Sequence, residues 1–99
     1  MDEALIRDDI QKHADAAVRG DMDTVAADFS EDLRPRLPIL AQALPRPVVS
    51  AEVVRVTFGD PVIISLIRYS GESGEFTYRN DWQDLGGAHP VIVHVAPAG

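Results

Sequence analysis

The chain contains no cysteine, which excludes disulfides, thiol catalysis and zinc–thiolate sites. Basic residues are scarce: nine Lys and Arg stand against sixteen Asp and Glu, for a formal charge of −7. The deficit runs through both halves, with six basic and ten acidic residues in 1–50 and three and six in 51–99. No basic patch for a phosphate backbone can be assembled from that balance, so nucleic acid is not an expected partner. The few cations are scattered, which also disfavours an anionic membrane surface. No apolar run approaches the ~18 residues of a membrane-spanning helix. The opening Met1-Asp2-Glu3-Ala4-Leu5 is acidic, where a secretory signal starts basic and turns apolar, so a cytoplasmic protein is expected. What is present is ordinary for a globular chain, 45% hydrophobic and 25% charged. Its 99 residues make one domain, 1–99, with a single core. A chain of this size buries only roughly 60–65% of its unfolded surface, so its stability is modest unless a partner adds to it.

The first half has helical periodicity. Over residues 3–19, Leu5, Ile6, Ile10, Ala16 and Ala17 gather on one side at about 100° per residue, while Arg7, Asp8, Gln11, Lys12, Asp15 and Arg19 take the other. Asp2 is a natural N-cap and Gly20 a natural terminator. Asp21 or Asp23 can then cap a shorter helix that turns Val25, Ala26 and Phe29 inward. Prolines at 35, 38, 45 and 47 bracket Leu37–Leu44, which reads as a buried two-turn helix with Pro38 in its first turn. The second half is rich in β-branched and aromatic residues over Val48–Phe58, Val62–Tyr69, Glu75–Asp84 and Val91–Ala96, with Gly59-Asp60, Gly71-Glu72-Ser73-Gly74 and Gly86-Gly87 between them. Helices followed by a four-stranded antiparallel meander define an α+β fold with the helices on one face of the sheet. Along the third strand Phe76, Tyr78, Asn80 and Trp82 point toward the helices. Along the first, Val54, Val56 and Phe58 form the matching row. Strands two and four are apolar on both faces, and an outer face rich in aliphatic residues calls for a cover, which a second copy of the chain would supply.

The pattern resembles the nuclear transport factor 2-like superfamily, the ketosteroid isomerase or polyketide cyclase-like cone fold, and in particular its small bacterial members. The likeness rests on the first helix running into Ala16-Ala17-Val18-Arg19-Gly20-Asp21-Met22-Asp23, on Phe29 and Asp32, and on Val54-x-Val56-x-Phe58-Gly59-Asp60-Pro61-Val62-Ile63-Ile64. The hairpin Tyr69-Ser70-Gly71-x-x-Gly74, the strand Arg79-x-Asp81-Trp82, Gly86-Gly87 and the final Val91-Ile92-Val93-His94 complete it. His89-Pro90 stands where relatives usually carry a Trp, and the segment between helix two and the first strand is short. The resemblance implies a strongly curved antiparallel sheet, a cone or cystatin-like roll, with the N-terminal helices in its concave face. It also implies a cavity open at one end and dimerisation through the sheet.

Function is sought in polar groups that the folding pattern does not need. Asp9 and His13 lie within the apolar arc of helix one and are i, i+4 neighbours, so the carboxylate can fix the imidazole tautomer and leave the other ring nitrogen for proton transfer. Tyr78 and Asn80 share the inner row of strand three with Phe76 and Trp82. A phenol and an amide buried there need partners or cost about 1–3 kcal/mol each. His94 falls on the same face as Ile92 by alternation. A wetted helix end, a bulge or a backbone acceptor would satisfy these groups without a ligand. The histidines at 13, 89 and 94 lack metal-ligand spacing, and the glycine pairs sit between strands and open no helix, so neither metal nor cofactor is expected. Two readings remain. One is a dimerising module that binds a small apolar ligand or a partner, with Phe76, Tyr78, Asn80, Trp82 and His94 around the ligand. The other is an isomerase, dehydratase or cyclase in which Asp9 and His13 move a proton on a carbonyl compound, and it requires a cavity of about 300 Å³ or more.

Overall fold

In the computed structural model, which describes residues 2–98, the Asp2 carboxylate accepts the Ala4 N–H at 2.9 Å and starts helix α1, Glu3–Arg19. This satisfies one of the donors that a first helical turn leaves unpaired. Gly20 ends α1 at φ 72°, a left-handed conformation that costs glycine little, and the Asp21 N–H turns back to the Ala16 carbonyl at 2.9 Å. Asp21 then caps α2, Met22–Ala27, accepting the Thr24 N–H at 3.2 Å and the Thr24 hydroxyl at 2.7 Å. The two helices thus form a hairpin with almost no loop. Ile6, Ile10, Ala14 and Ala16 of α1 are buried, but Leu5 is 64% exposed. It lies about 100° from Ile6, at the edge of the arc, where only the C-terminal half of α1 has α2 beside it.

The proline-bracketed segment forms a 3-10 turn, Arg34–Arg36, that runs into helix α3, Leu37–Gln42. Pro35 and Pro38 occupy first-turn positions, where no N–H is required. The expectation of a buried helix needs correction, since no residue of α3 is buried. Leu37, Leu40 and the following Leu44 are half-buried against the core, and Ile39 is open to solvent. The segment is an amphipathic cover.

Four strands follow, β1 (Ser50–Thr57), β2 (Val62–Gly71), β3 (Gly74–Gln83) and β4 (Val91–Ala98), paired antiparallel in chain order in one open sheet. Gly71 pairs with Gly74, which leaves Glu72-Ser73 as the turn. Gly71 has a second role, because a Cβ there would overlap the Pro47 carbonyl oxygen. The absent side chain lets the 45–48 loop lie directly on the hairpin. Ile63, Ile67, Trp82 and Ile92 pack with Ile6, Ile10, Val25 and Phe29 in the core, so the helices cover one face of the sheet.

Two β-bulges alter the expected rows. β1 pairs Val53 with Ile67 but Arg55 with Leu66, so Val54 is the extra residue; it is 48% exposed, and Val53 packs on the core in its place, beside the expected Val56 and Phe58. β3 pairs Asp81 with His94 but Trp82 with Ile92, so Val93 is extra and His94 moves to the face of Asp81. Strict alternation fails past such a residue because each inserted position inverts the facing of the residues beyond it. Ile67→Ala, at a site with no exposure, should cost about 2–5 kcal/mol. Val54→Thr should change stability by less than about 0.5 kcal/mol. Urea unfolding of the two variants checks the β1 register, and a large loss for Val54→Thr would contradict it.

Candidate functional site

The His13 ring, 3% exposed, is held by an acid from a different helix. Its Nδ1 lies 2.8 Å from Oδ2 of Asp28, the residue that ends α2. Asp28 is fixed in turn by β4: the Ile92 N–H donates to the Asp28 carbonyl at 2.7 Å, and the Ser30 N–H donates to the Ile92 carbonyl at 2.9 Å. Trp82 meets the imidazole edge-on at 5.4 Å and 87°, and Phe29 stacks on it at 6.1 Å and 29°. A carboxylate only accepts, so the Nδ1 proton points to Asp28, and in the neutral ring the lone pair then rests on Nε2. Nε2 has no protein partner among the described residues, yet no buried side-chain polar atom there is left unpaired. It therefore opens onto the cavity that His13 lines.

The expected contact between Asp9 and His13 does not form. Asp9 accepts from His89 Nδ1 at 3.1 Å, tying the β3–β4 loop to α1, and it does not line the cavity. Adjacent turns bring the two side chains near one another, but each has a partner from another element on its own side of the helix.

The inner row of the sheet supplies the other polar groups. Ser65 Oγ accepts the Trp82 indole N–H at 2.9 Å and lies 3.4 Å from Asn80 Nδ2. That contact uses one position of the Asn80 amide, and the remainder faces the cavity. Tyr78 donates to the Leu40 carbonyl at 2.6 Å and so pins α3 over the sheet. Tyr69 is buried and lines the cavity, and its hydroxyl makes no hydrogen bond among the described residues. Burial pushes the Tyr69 phenol far above the usual 10.0, with the nearby Tyr78 adding to the shift, and burial raises Tyr78 as well. Both are neutral O–H donors throughout the physiological range.

These groups surround a cavity of about 380 Å³. His13, Phe29, Tyr69, Tyr78 and Asn80 are its buried wall, and α3 with the Pro45–Val48 loop forms its roof. Val18, Arg19, Gly20 and Arg46 are exposed and mark the opening. The volume falls within the range of small-molecule sites. Apart from Arg19 and Arg46, and His13 as an ionisable imidazole, the lining residues carry no charge.

Of the residues singled out in the sequence, His13, Tyr78 and Asn80 meet at this cavity. Trp82 stands one layer behind, against His13, and Phe76 packs on Tyr78 at 4.8 Å without reaching the lining. His94 is corrected by the β4 bulge: it is on the outer face, 64% exposed, with Nδ1 3.7 Å from Asp81. Sequence reasoning missed Asp28, whose signal was slight: it is the last acid before the inward-facing Phe29. The described residues contain no group of three or more His, Cys, Asp or Glu side chains that could hold a metal ion and no helix long and apolar enough to cross a membrane. No protein-family model, curated protein or solved structure matches the chain.

Proposed function

We propose that the chain is a small nuclear transport factor 2-like protein of the cone fold that binds one small, largely apolar molecule between α1, α3 and the sheet, and that works as a homodimer. The observation that carries the reading is the cavity of about 380 Å³ toward which unpaired polar positions of His13, Tyr69 and Asn80 turn from an otherwise apolar wall. A few convergent polar groups in an apolar hollow are what fix the orientation of a small ligand. Support for the superfamily comes from three helices preceding a four-strand antiparallel meander and covering one of its faces. Because a ligand bound only by the native state stabilises it by mass action, a compound at 100 times its Kd adds about 2.7 kcal/mol. At this chain length that raises Tm by roughly 10 °C or more. A thermal-shift screen of cyclohexanones and aryl ketones should find such compounds, and Ala17→Leu, which enlarges a side chain on the cavity wall, should abolish the shift.

Dimerisation through the outer sheet face is supported by two half-buried aliphatic groups, Val62, Ile64 and Leu66 on β2 and Val91 and Val93 on β4, which flank the polar outer row of β3. Sedimentation equilibrium at micromolar concentration should give a dimer, and Ile64→Glu should give a monomer with unchanged far-UV circular dichroism. A monomeric parent chain would remove this part of the reading.

A second reading, proton transfer on a carbonyl compound, is favoured by one contact, the 2.8 Å approach of Asp28 to His13 Nδ1. With that nitrogen occupied, Nε2 can take a proton from the carbon next to a carbonyl, while Tyr69 and Asn80 donate to the oxygen on which negative charge develops. Deuterium exchange into a bound ketone, followed by NMR, should slow by roughly 100-fold or more in His13→Gln. Equal exchange with and without the protein would leave only the binding role.

A further inference from the structure

The charge around the cavity is opposite in sign to that of the chain. The protein carries sixteen acidic residues and a formal charge of −7, yet no Asp or Glu lines the cavity. The permanently charged lining residues are Arg19 and Arg46, and both are exposed, which places them at the opening. Arg46 makes no ion pair among the described residues. Its backbone is anchored where the Arg46 N–H reaches Ser73 Oγ at 3.4 Å and where the following Pro47 lies on Gly71, so the base of the side chain is held at the rim. Arg19 is offset only loosely, by Asp21 at 3.6 Å, and the Asp21 carboxylate is itself occupied by Thr24. An unpaired guanidinium and a partly neutralised one leave close to a single net positive charge beside an apolar cavity whose buried lining carries the Tyr69 and Asn80 donors and the His13 imidazole.

We infer, building on the small-molecule reading above, that the ligand is an amphipathic monocarboxylate: its carboxylate sits between Arg46 and Arg19 at the opening, and its apolar body lies in the cavity beneath α3. Charge complementarity carries the assignment. The rest of this acidic surface repels anions, so a carboxylate meets a favourable potential at the rim, where the guanidinium fork matches its two oxygens. One net charge suits a carboxylate better than a dianionic phosphate. The uncharged wall behind it accepts a hydrocarbon body and penalises a second buried charge.

The test is a calorimetric titration with octanoate, methyl octanoate and octyl phosphate, read in parallel by the fluorescence of Trp82, the chain's one tryptophan, which touches His13. Octanoate should bind roughly tenfold more tightly than its methyl ester, as expected for a charge-assisted hydrogen bond at a partly exposed site. Arg46→Gln combined with Arg19→Gln should erase the difference and leave ester binding unchanged; both positions are exposed, and neither contributes to the core. Equal affinity for octanoate and its ester would overturn the carboxylate assignment while the small-molecule reading stands. Octyl phosphate binding as tightly as octanoate would overturn the single-charge match. Failure of all three probes to bind would overturn both this inference and the reading on which it rests.

Discussion

Two backbone hydrogen bonds, from the Ile92 N–H to the Asp28 carbonyl and from the Ser30 N–H to the Ile92 carbonyl, join the end of the helical hairpin to the last strand of the sheet. Phe29 and Ile92 face each other across this parallel bridge, and both are buried. The bridge fixes where the helices stand on the sheet, because α1 and α2 share almost no loop and move as a unit. It also places the Asp28 carboxylate under His13 and sets Phe29 as one wall of the cavity. Without it, the helical layer would be positioned mainly by non-directional apolar contacts between α1 and the sheet, and the imidazole would have no fixed tautomer. A polar constellation held by backbone bonds between regular elements is more sharply placed than one carried on loops.

The elements were legible because their signals are local. Asp2, Gly20 and Asp21 act through hydrogen bonds within a few residues, and their effects on helix start and stop are the same in any tertiary setting. The strands were legible for a related reason, since glycine-containing turns separate runs of β-branched and aromatic residues, and the inner row of β3 follows plain alternation. Val56 of β1 and Phe58 just after it pack on the core as expected, but facing at and across the bulges of β1 and β4 was not legible. A bulge is a choice between two registers of a sheet, and it is decided by what fits beneath the helices and not by the residue that becomes extra. Val54 and Val93 carry no mark that separates them from their valine neighbours. The His94 assignment failed on that account. The partner of His13 failed differently: Asp9 is four residues away and Asp28 fifteen, and only the fold-back of α2 brings the more distant acid to the ring. Part of the constellation, His13 with Tyr78 and Asn80, could be found from polar residues in apolar positions. Asp28 and the rim arginines could not, because exposed acids and arginines are common on any surface.

The polar row beneath the helices is organised in layers. Ser65, in the sheet, takes the Trp82 indole N–H and one N–H of the Asn80 amide, so two of the three buried hydrogen-bonding side chains of β3 are bonded from β2. Trp82 is thereby held rigid and meets His13 edge-on. The imidazole thus has the Asp28 carboxylate at one nitrogen, an indole at its edge and a phenyl ring on its face. Each contact restricts the ring without occupying Nε2. Tyr78 serves a different purpose: its hydroxyl is spent on the Leu40 carbonyl and ties down a helix that has no fully buried residue of its own. Its neighbour Tyr69 keeps the same group free. Of two inward-facing phenols on adjacent strands, one is structural and one is available.

That allocation bears on why the hollow exists at all. In a chain of 99 residues every apolar side chain withheld from the core is felt, since the surface-to-volume ratio leaves little reserve. Filling 380 Å³ with two or three larger aliphatic side chains from α3 and the 45–48 loop would add buried apolar area at about 25 cal/mol per Å². It would also let α3 pack directly on the sheet. Instead the wall opposite α3 presents an imidazole, a free phenol and an amide, groups that disfavour direct aliphatic packing because covering them without partners costs about 1–3 kcal/mol each. The polar wall and the shallow roof are therefore mutually consistent. The roof cannot collapse onto the sheet without burying unsatisfied groups, and those groups have a use only while the space above them stays open. A design for stability alone would relieve both at once, by making the wall apolar and the roof side chains larger. Under the binding role proposed above, keeping the two together exchanges stability for a preorganised interior.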